Sequence, residues 1–338
     1  MYGRRETREI PVVIYRPEGE RPGPLAVFLH GRANRERRAE QGRARPERLA
    51  RWLAQSGFVV AVPTRVGYAD TYGDFDPEYS GGCRERRIRP MNQAIVDQTL
   101  AVVAHMSAQP YVDAGRWIVI GQSVGGQGAV AVVGAAPEGL VAGINFAGGS
   151  GGHPQEHPRR PCGAQLLKHE FSALGAKARV PMLWLYWEND LFWGSEHPRE
   201  WFSAWREAGG AGTFHLLSPV GEDGHQGINL DMDRWVPLAQ QFLSQVGFAV
   251  AGPPERPAAS GFARVDDVSR VPLLDERARE EGYLRFLKAQ PPRAFAIGDR
   301  GGWGWGQGDW AIGKALGNCA RYGQRCTLYA VDDVVVWK

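Results

Sequence analysis

The stretch that most constrains the fold is residues 117–136, WIVIGQSVGGQGAVAVVGAA. An apolar β-type run passes through Gly-Gln-Ser-Val-Gly at 121–125 into an apolar helical pattern, which predicts a strand, a sharp turn and a helix. Gly121 and Gly125 suit such a turn, because side chains there would collide where strand and helix pass closely. The helix start directs free N–H groups and a positive dipole end toward the turn. Ser123 is therefore the candidate nucleophile.

A second G-x-S-x-G sequence, at 148–152, contains Ser150 and also comes after a strand-like run, LVAGINFA. The residues on the C-terminal side of each motif distinguish the two. Residues after 125 continue as a helix, whereas HPQEHPRRPCG after 152 contains prolines that remove helix donors and clash with the preceding turn. We interpret Ser150 as part of a flexible Gly-rich loop.

Strand and helix patterns alternate along the first 250 residues. Predicted strands are 9–16, 24–30, 57–64, the run before the turn, 140–147, 180–187 and 213–219. Predicted helices are 46–56, 90–108, the segment from about 124, 196–208 and 231–246. This alternation predicts an α/β fold: a doubly wound, mostly parallel sheet with helices on both faces. Functional residues are expected at the carboxyl ends of the strands.

The C-terminal part has a different composition. Residues 251–261, AGPPERPAASG, predict a linker between a large domain, 1–250, and a small α+β module, 262–338. In the module we expect a helical segment at 272–289, a strand at 294–298, a Gly/Trp-rich turn, a helix at 309–320 and a terminal strand at 327–337.

Charge and hydropathy limit the classes of partner that the chain is expected to bind. The formal net charge of +3 gives no argument for a nucleic-acid or membrane partner. Eight arginines lie between Gly31 and Trp52, but interleaved glutamates and missing aromatic platforms favour a solvated face. No apolar run reaches eighteen residues, so no membrane span is predicted. The first residues lack the apolar core of a signal peptide.

Four cysteines form an even set. Cys319 and Cys326 are close enough to bridge across a short turn, and Cys83 and Cys162 lie in loops that should open on the same sheet edge. We predict the disulfides Cys83–Cys162 and Cys319–Cys326, which imply an oxidising, periplasmic or secreted location. Four free thiols in a cytoplasmic enzyme are the alternative.

No metal site is expected. The cysteine spacing has no C-x-x-C sequence or accompanying histidine pair. His153, Glu156 and His157 lie in a Gly/Pro loop, and we interpret them as groups displayed to water.

Four motifs occur in order: LHG at 29–31, GQSVGG at 121–126, YWEND at 186–190 and GEDGH at 221–225. With them, residues 9–247 resemble the dienelactone-hydrolase-like branch of the α/β-hydrolases. The resemblance implies cofactor-independent hydrolysis of an ester or lactone. Dienelactone hydrolase proper uses a cysteine nucleophile where Ser123 stands, so the lactone substrate is not carried over. The C-terminal part resembles an accessory module behind some proteobacterial hydrolases of this kind, which are commonly exported.

The resemblance also implies a nucleophile, an acid and a histidine in that chain order. Glu188 and Asp190 come after the strand 180–187, and His225 comes after the strand 213–219 in a glycine-flanked loop. Asp190 lies further past its strand end, so we prefer it to Glu188. In this interpretation His225 removes the proton of Ser123, and Asp190 orients the imidazole.

An oxyanion needs two donors. The backbone N–H of Val124 comes directly after the nucleophile, and the sequence His30-Gly31-Arg32 matches the H-G-x oxyanion sequence. We predict the backbone N–H of Arg32 as the second donor.

Substrate residues are less constrained. The loop 64–90 begins at a strand's carboxyl end and is long enough to cover the site. An aromatic pocket could be lined by Tyr68, Tyr72, Tyr79, Trp187 and Trp193. Arg84, Arg86 and Arg87 could bind an acidic substrate, but we interpret them as solvated surface.

The leading hypothesis is a serine carboxylesterase with a small-molecule ester substrate and no cofactor. A peptidase of the same fold uses the same acyl-transfer chemistry and remains an alternative. A carrier whose Gly/Trp-rich module, GGWGWGQGDW, binds an envelope or saccharide ligand is a hypothesis of another class.

Overall fold

The computed structural model describes residues 7–33, 37–73, 75–321 and 323–338. The chain divides into two compact units. One comprises the residues up to 44 together with 57–249, and the other comprises 45–56 together with 250–338. These units differ from the boundaries expected from sequence, because a helix that comes after the second strand in the chain groups with the C-terminal residues. Of the arginine-rich segment, residues 34–36 lie outside the described residues.

The larger unit contains seven strands and six helices among the described residues. Its strands are β1 (Val12–Tyr15), β2 (Gly23–Leu29), β3 (Val59–Pro63), β4 (Val112–Gln122), β5 (Leu140–Phe146), β6 (Met182–Trp187) and β7 (Gly212–Leu217). The first helix of the chain, α1 (Glu47–Gln55), belongs to the smaller unit. The helices of the larger unit are α2 (Ile88–Ser107), α3 (Val124–Ala135), α4 (Ala164–Gly175), α5 (Glu196–Glu207), α6 (Gly227–Leu230) and α7 (Met232–Gln245).

The seven strands form one sheet in the order β1-β3-β2-β4-β5-β6-β7. Only the edge strand β1 pairs antiparallel, with β3, and the other pairs are parallel. The register places Gln122 beside Phe146, and Phe146 beside Leu185. The carboxyl ends of β4, β5 and β6 are therefore level, and the loops after them open at one edge.

Both faces of this sheet are buried. Trp184 and Tyr186 of β6 pack in a core with α2, α3, α4 and α5. The alternate residues of β6, Leu183, Leu185 and Trp187, point to the other face and are equally buried. On that face Trp235 of α7 meets Phe146 edge-on at 5.0 Å between ring centroids. Helices thus cover both faces, and the predicted doubly wound fold class is confirmed.

The smaller unit contains α1, a helical stretch and a second sheet. The helical stretch consists of α8 (Glu276–Ala278), a π-helical turn (Arg279–Tyr283) and α9 (Leu284–Lys288). The sheet strands are β8 (Arg293–Gly298), β9 (Trp303–Gln307), β10 (Cys326–Val331) and β11 (Val334–Val335), with α10 (Ala311–Ala320) between β9 and β10. The sheet is antiparallel in the order β11-β10-β8-β9. The predicted α+β character of this region is confirmed.

The Gly/Trp-rich segment was predicted as a turn, and this prediction is wrong. Trp303–Gln307 forms β9, an edge strand paired with β8. Side chains at Gly304 and Gly306 would collide with α10, so these glycines permit close packing of strand and helix. The predicted terminal strand is split into β10 and β11 by a turn at Asp332, which has a φ of 51°.

In the described part of the chain, no helix combines the length and the apolar character that crossing a bilayer requires.

Candidate active site

Ser123 occupies a strained turn between β4 and α3. Its φ of 56° and ψ of −123° lie outside the region that non-glycine residues favour. Neighbouring glycines make the turn possible: a side chain at Gly121 would collide with the backbone of Gly125, and one at Gly125 would collide with the carbonyls of Leu29 and His30. Backbone strain is thus maintained by packing on both sides of the serine.

Asp190 and His225 meet at the same edge of the sheet. Asp190 comes after β6 and is completely buried, and its Oδ2 lies 2.9 Å from Nδ1 of His225, which comes after β7. Its Oδ1 accepts hydrogen bonds from the amides of Phe192 at 2.7 Å and Trp193 at 3.1 Å. These bonds orient the carboxylate toward the imidazole. Glu188, the alternative acid, is exposed.

Several contacts that the sequence did not reveal hold the His225 loop. One oxygen of Asp223 accepts from the amides of His225 and Leu191, both at 2.9 Å. Gln122, the residue before Ser123, donates through Nε2 to the carbonyl of His225 at 3.2 Å. The ring of Phe192 stacks on the imidazole at 4.0 Å between centroids. These contacts therefore connect the loop both to the turn after β6 and to the turn that contains Ser123.

The segment after β2 lies against Ser123. A Cβ placed on Gly31 would be 3.3 Å from Cβ of Ser123 and 3.8 Å from its Oγ. The carbonyl of Gly31 accepts from Gln41 Nε2 at 3.1 Å and contacts Nδ1 of His30 at 2.7 Å. This peptide is fixed, and the backbone of Arg32 comes directly after it. Val124 is the first residue of α3, so its N–H has no acceptor within the helix.

A largely buried ionic network supports the same segment. Arg32 pairs with Asp76 at 2.6 Å, and Arg65 pairs with Glu78 at 2.6 Å. Tyr68 donates to Glu78 at 2.7 Å and accepts from Arg32 at 3.1 Å. Burial alone would raise the pKa of Asp76, but its hydrogen bonds and ion pairs with Arg32 and Arg38 hold that pKa below the usual value. The network fastens the loop after β3 to the segment after β2.

His30 is a buried, neutral part of this region. Burial, and then the nearby Arg65 charge, lower the pKa of His30 well below its ordinary value. Its Nε2 accepts from the amide of Arg65 at 3.3 Å, and its ring meets Tyr68 edge-on at 4.7 Å. A proton on Nε2 would remove that acceptor.

Known proteins share this architecture. The model of the prolyl oligopeptidase family matches residues 47–148. Esterase 2 of Thermogutta terrifontis, solved after phosphonylation by sarin, is 17% identical with a TM-score of 0.51, over 75% of this chain and 95% of that chain. The chain has the α/β-hydrolase fold. The fold expected from the dienelactone-hydrolase-like resemblance is thus confirmed.

Two further solved structures resemble the chain with lower TM-scores. One, named as a dienelactone hydrolase of Klebsiella pneumoniae, is 17% identical with a TM-score of 0.48, over 70% of this chain and 92% of that chain. The acylaminoacyl peptidase of Pyrococcus horikoshii is 13% identical with a TM-score of 0.49, over 71% of this chain and 40% of that chain. No curated protein matches the sequence.

The aromatic residues expected to line a substrate pocket lie in different places. Tyr68 and Trp187 are fully buried, and Trp187 Nε1 donates to Asp231 at 2.6 Å. Trp193 is 2% exposed and meets His225 edge-on at 5.5 Å. Tyr72 and Tyr79 are exposed. Burial places Tyr68 and Trp187 behind the site, where they support loops, and not on a surface open to substrate.

Both predicted cysteine pairs are bridged in the structure. Cys83 and Cys162 have a Cα–Cα distance of 5.4 Å, and Cys319 and Cys326 one of 6.1 Å. The first bridge joins the loop after β3 to the loop after β5. The two sulfurs lie near the exposed His153: both Sγ atoms and a ring nitrogen of His153 lie within 4.8 Å of one another. These sulfurs are bonded to each other, so they do not offer the thiolates that a metal would need.

Proposed function

We propose that this α/β-hydrolase is a serine hydrolase that cleaves a carboxylic ester. The observation that carries the proposal is the buried Asp190–His225 pair at the sheet edge where the strained turn presents Ser123. In such a set a base activates the hydroxyl, and the acid holds the base in one tautomer. Nδ1 of His225 faces Asp190, which leaves Nε2 for proton transfer with the serine.

The reaction proceeds in two acyl transfers. His225 takes the proton of Ser123 as Oγ attacks the ester carbonyl, and Asp190 stabilises the imidazolium that forms. The imidazolium then protonates the leaving alcohol, which departs and leaves an acyl-serine. A water molecule, activated by the same histidine, hydrolyses the acyl-enzyme and restores the free serine.

The tetrahedral oxyanion is stabilised by backbone donors in this proposal. Val124 contributes the N–H at the start of α3, where the helix dipole favours negative charge. Arg32 contributes its backbone N–H, because the peptide of Gly31 that precedes it is fixed beside Ser123. Each donor is worth about 3–4 kcal/mol of transition-state stabilisation.

A peptidase is the second candidate. The match of residues 47–148 to the prolyl oligopeptidase family favours it, and amide cleavage needs the same three side chains. The leaving group differs, because a departing amine must be protonated by the imidazolium before the C–N bond breaks.

The two bridges also favour an oxidising compartment for the enzyme, periplasmic or secreted, because structural disulfides persist there.

A comparison of ester and amide substrates tests the proposal. Wild-type enzyme should hydrolyse p-nitrophenyl butyrate far faster than the matching p-nitroanilide. Ser123→Ala should lower kcat for the ester by about 10⁴-fold or more, whereas Ser203→Ala, on the outer side of α5, should retain it. Faster cleavage of the anilide would support the peptidase. Full ester hydrolysis by Ser123→Ala would contradict both candidates.

A further inference from the structure

The imidazole of His225 contacts aromatic rings as well as a carboxylate. The ring of Phe192 lies 4.0 Å from the imidazole, centroid to centroid, at an interplanar angle of 26°, so the two rings are stacked. Trp193 meets the same imidazole edge-on at 5.5 Å. Because the negative charge of a benzene ring lies on its face, Phe192 presents that face to the imidazole plane.

Hydrogen bonds hold the backbone at Phe192. Its amide donates to Asp190 Oδ1 at 2.7 Å, and Oδ2 of the same carboxylate contacts His225. The carbonyl of the preceding residue, Leu191, accepts from the amide of Arg159 at 2.7 Å. The carboxylate that orients the imidazole thus also holds the residue that stacks on it.

The second G-x-S-x-G segment, residues 148–152, packs against these aromatic side chains. A Cβ placed on Gly152 would lie only 2.8 Å from Cδ1 of Phe192, and one placed on Gly149 would lie 3.1 Å from the indole of Trp193. Glycine at both positions lets the backbone of the segment approach the two rings closely. The segment is a loop, as expected, and its glycines are used for packing beside the imidazole.

The same loop is held from its other side. Ser150 is buried, and its Oγ accepts from Nη2 of Arg86 at 2.6 Å. Arg86 is partly buried, whereas Arg84 and Arg87 are exposed. The interpretation of all three arginines as solvated surface is therefore wrong for Arg86. Its bond to Ser150 helps to fix the loop that packs against Phe192.

Two carboxylates accept hydrogen bonds from His225. Asp190 faces Nδ1, and Asp223 accepts from the backbone amide. Tyr186 of β6 stays neutral, because burial raises its pKa above the ordinary value. The helix α6, which comes directly after the His225 turn, has no titratable side chain. These polar contacts act at nitrogen atoms, whereas Phe192 contacts the face of the imidazole.

A stacked ring distinguishes the two charge states of an imidazole. Neutral imidazole gains mainly dispersion from the contact, whereas imidazolium is also attracted by the negative face of the ring when it lies within about 6 Å of the centroid. In the proposed reaction the imidazolium forms only as Ser123 is deprotonated. The attraction is therefore stronger in the transition state than in the resting enzyme, which is the condition for an effect on rate.

We propose that Phe192 is a positioning residue that acts through His225, its ring stabilising the imidazolium that forms when Ser123 loses its proton. This inference rests on the proposed role of His225 as the base. A leucine at position 192 would keep an apolar cover on the imidazole but would lose the face of the ring.

The test is the pH profile of kcat/KM for p-nitrophenyl butyrate between about pH 5 and 9, which reports the protonation of the free enzyme. Phe192→Leu should lower the plateau by about three- to tenfold and move the midpoint of the acid limb down by about 0.5–1 pH unit. Phe192→Tyr keeps a ring face and should keep the wild-type midpoint. Phe202→Leu is the matched control, because Phe202 is also partly buried but stacks on Phe214. A midpoint does not depend on the fraction of active protein, so partial unfolding does not alter it.

An acid limb of Phe192→Leu that coincides with wild type, or that moves to higher pH, would overturn the inference even if the plateau falls. A lower plateau alone is what a purely structural role would produce. A midpoint in Phe192→Tyr as low as that in Phe192→Leu would also count against the ring face.

An NMR titration of the His225 ring protons separates this failure from failure of the proposed function. The resonances are assigned by their loss in His225→Gln. The titration midpoint should be lower in Phe192→Leu than in wild type, whether or not an ester is hydrolysed. Equal midpoints would count against Phe192. A lower midpoint in Phe192→Leu, together with no ester hydrolysis by wild-type protein, would contradict the esterase instead.

Discussion

The carboxylate of Asp190 and the imidazole of His225 lie 2.9 Å apart, although 35 residues separate them in the chain. They meet because β6 and β7 are parallel neighbours whose loops open at one edge of the sheet. Asp190 is completely buried and accepts two backbone N–H bonds besides the imidazole contact. A fully satisfied carboxylate of this kind holds the imidazole in one orientation.

Replacing Asp190 by Asn should therefore lower kcat by about 10⁴-fold with little change in folding, because the amide keeps the shape but favours the wrong imidazole tautomer. Glu188→Gln is the matched control, since Glu188 is exposed and should be dispensable. Ester hydrolysis and far-UV circular dichroism check the two expectations. Equal losses in the two variants would argue against Asp190 as the orienting acid.

The buried His30 should make the fold sensitive to acid. The pKa of His30 is lowered in the folded protein, so below about pH 6.5 the unfolded chain binds a proton that the folded chain does not. The free energy of unfolding should fall as pH decreases, by up to about 1.4 kcal/mol per pH unit from this group. Burial also lowers the pKa of His215, which adds in the same direction.

Denaturant unfolding at several pH values between about 7.5 and 5, a range that brackets the ordinary pKa of histidine, measures this effect. His30→Gln should show a shallower decline than wild type, and His105→Gln, at an exposed position on α2, should not. A slope unchanged by His30→Gln would show that this histidine does not control acid stability.

The Cys83–Cys162 bridge should stabilise the larger unit. It closes a loop with a sequence separation of 79, which is worth about 4.5 kcal/mol in the chain-entropy model. Replacing both cysteines by Ser should lower Tm by about 10 °C. The second bridge, Cys319–Cys326, closes a loop with a sequence separation of only 7. The Cys319→Ser/Cys326→Ser variant should therefore keep labelling of Ser123 by a fluorophosphonate. Four thiols alkylated in the native, unreduced protein would refute both bridges.

The turn that contains Ser123 should require glycine at position 125, because the space there is too small for a side chain. Gly125→Ala would place a methyl group against the carbonyls of Leu29 and His30, so we expect a loss of about 3 kcal/mol in stability and a loss of ester hydrolysis. Gly313→Ala, within α10 and with nothing near its Cβ position, should instead stabilise by about 0.5–1 kcal/mol. Thermal unfolding compares them. A neutral Gly125→Ala would refute the tight-turn argument.

The parts of the site that sequence could predict are those next to apolar strands. Ser123, Asp190 and His225 each come after such a run, and the parallel alternation brings those strand ends together. The position of Asp190 further past its strand end favours it over Glu188 as the acid, and in the structure Asp190 is buried whereas Glu188 is exposed. The roles of the three residues stay predictions until activity is measured.

Other features of the structure depend on packing between distant segments, which no local sequence pattern predicts. The alternation of Gly and Trp at 303–306 predicts a turn by composition, but Gly304 and Gly306 are there because α10 lies against them. The helix α4 was not predicted, because it begins after a proline-rich loop at Gly163 and not at a usual capping residue. The ion pair of Arg32 and Asp76 joins residues that are 44 positions apart in the sequence. Sequence spacing alone could not find this pair or separate Arg86 from its neighbours.

The most direct test of the central claim is to locate the adduct of a fluorophosphonate probe. Intact-mass measurement and then peptide mapping should find one adduct, on the peptide that contains Ser123. Labelling should disappear in Ser123→Ala and persist in Ser150→Ala. An adduct on Ser150, or labelling that survives Ser123→Ala, would contradict the proposed nucleophile and the mechanism built on it.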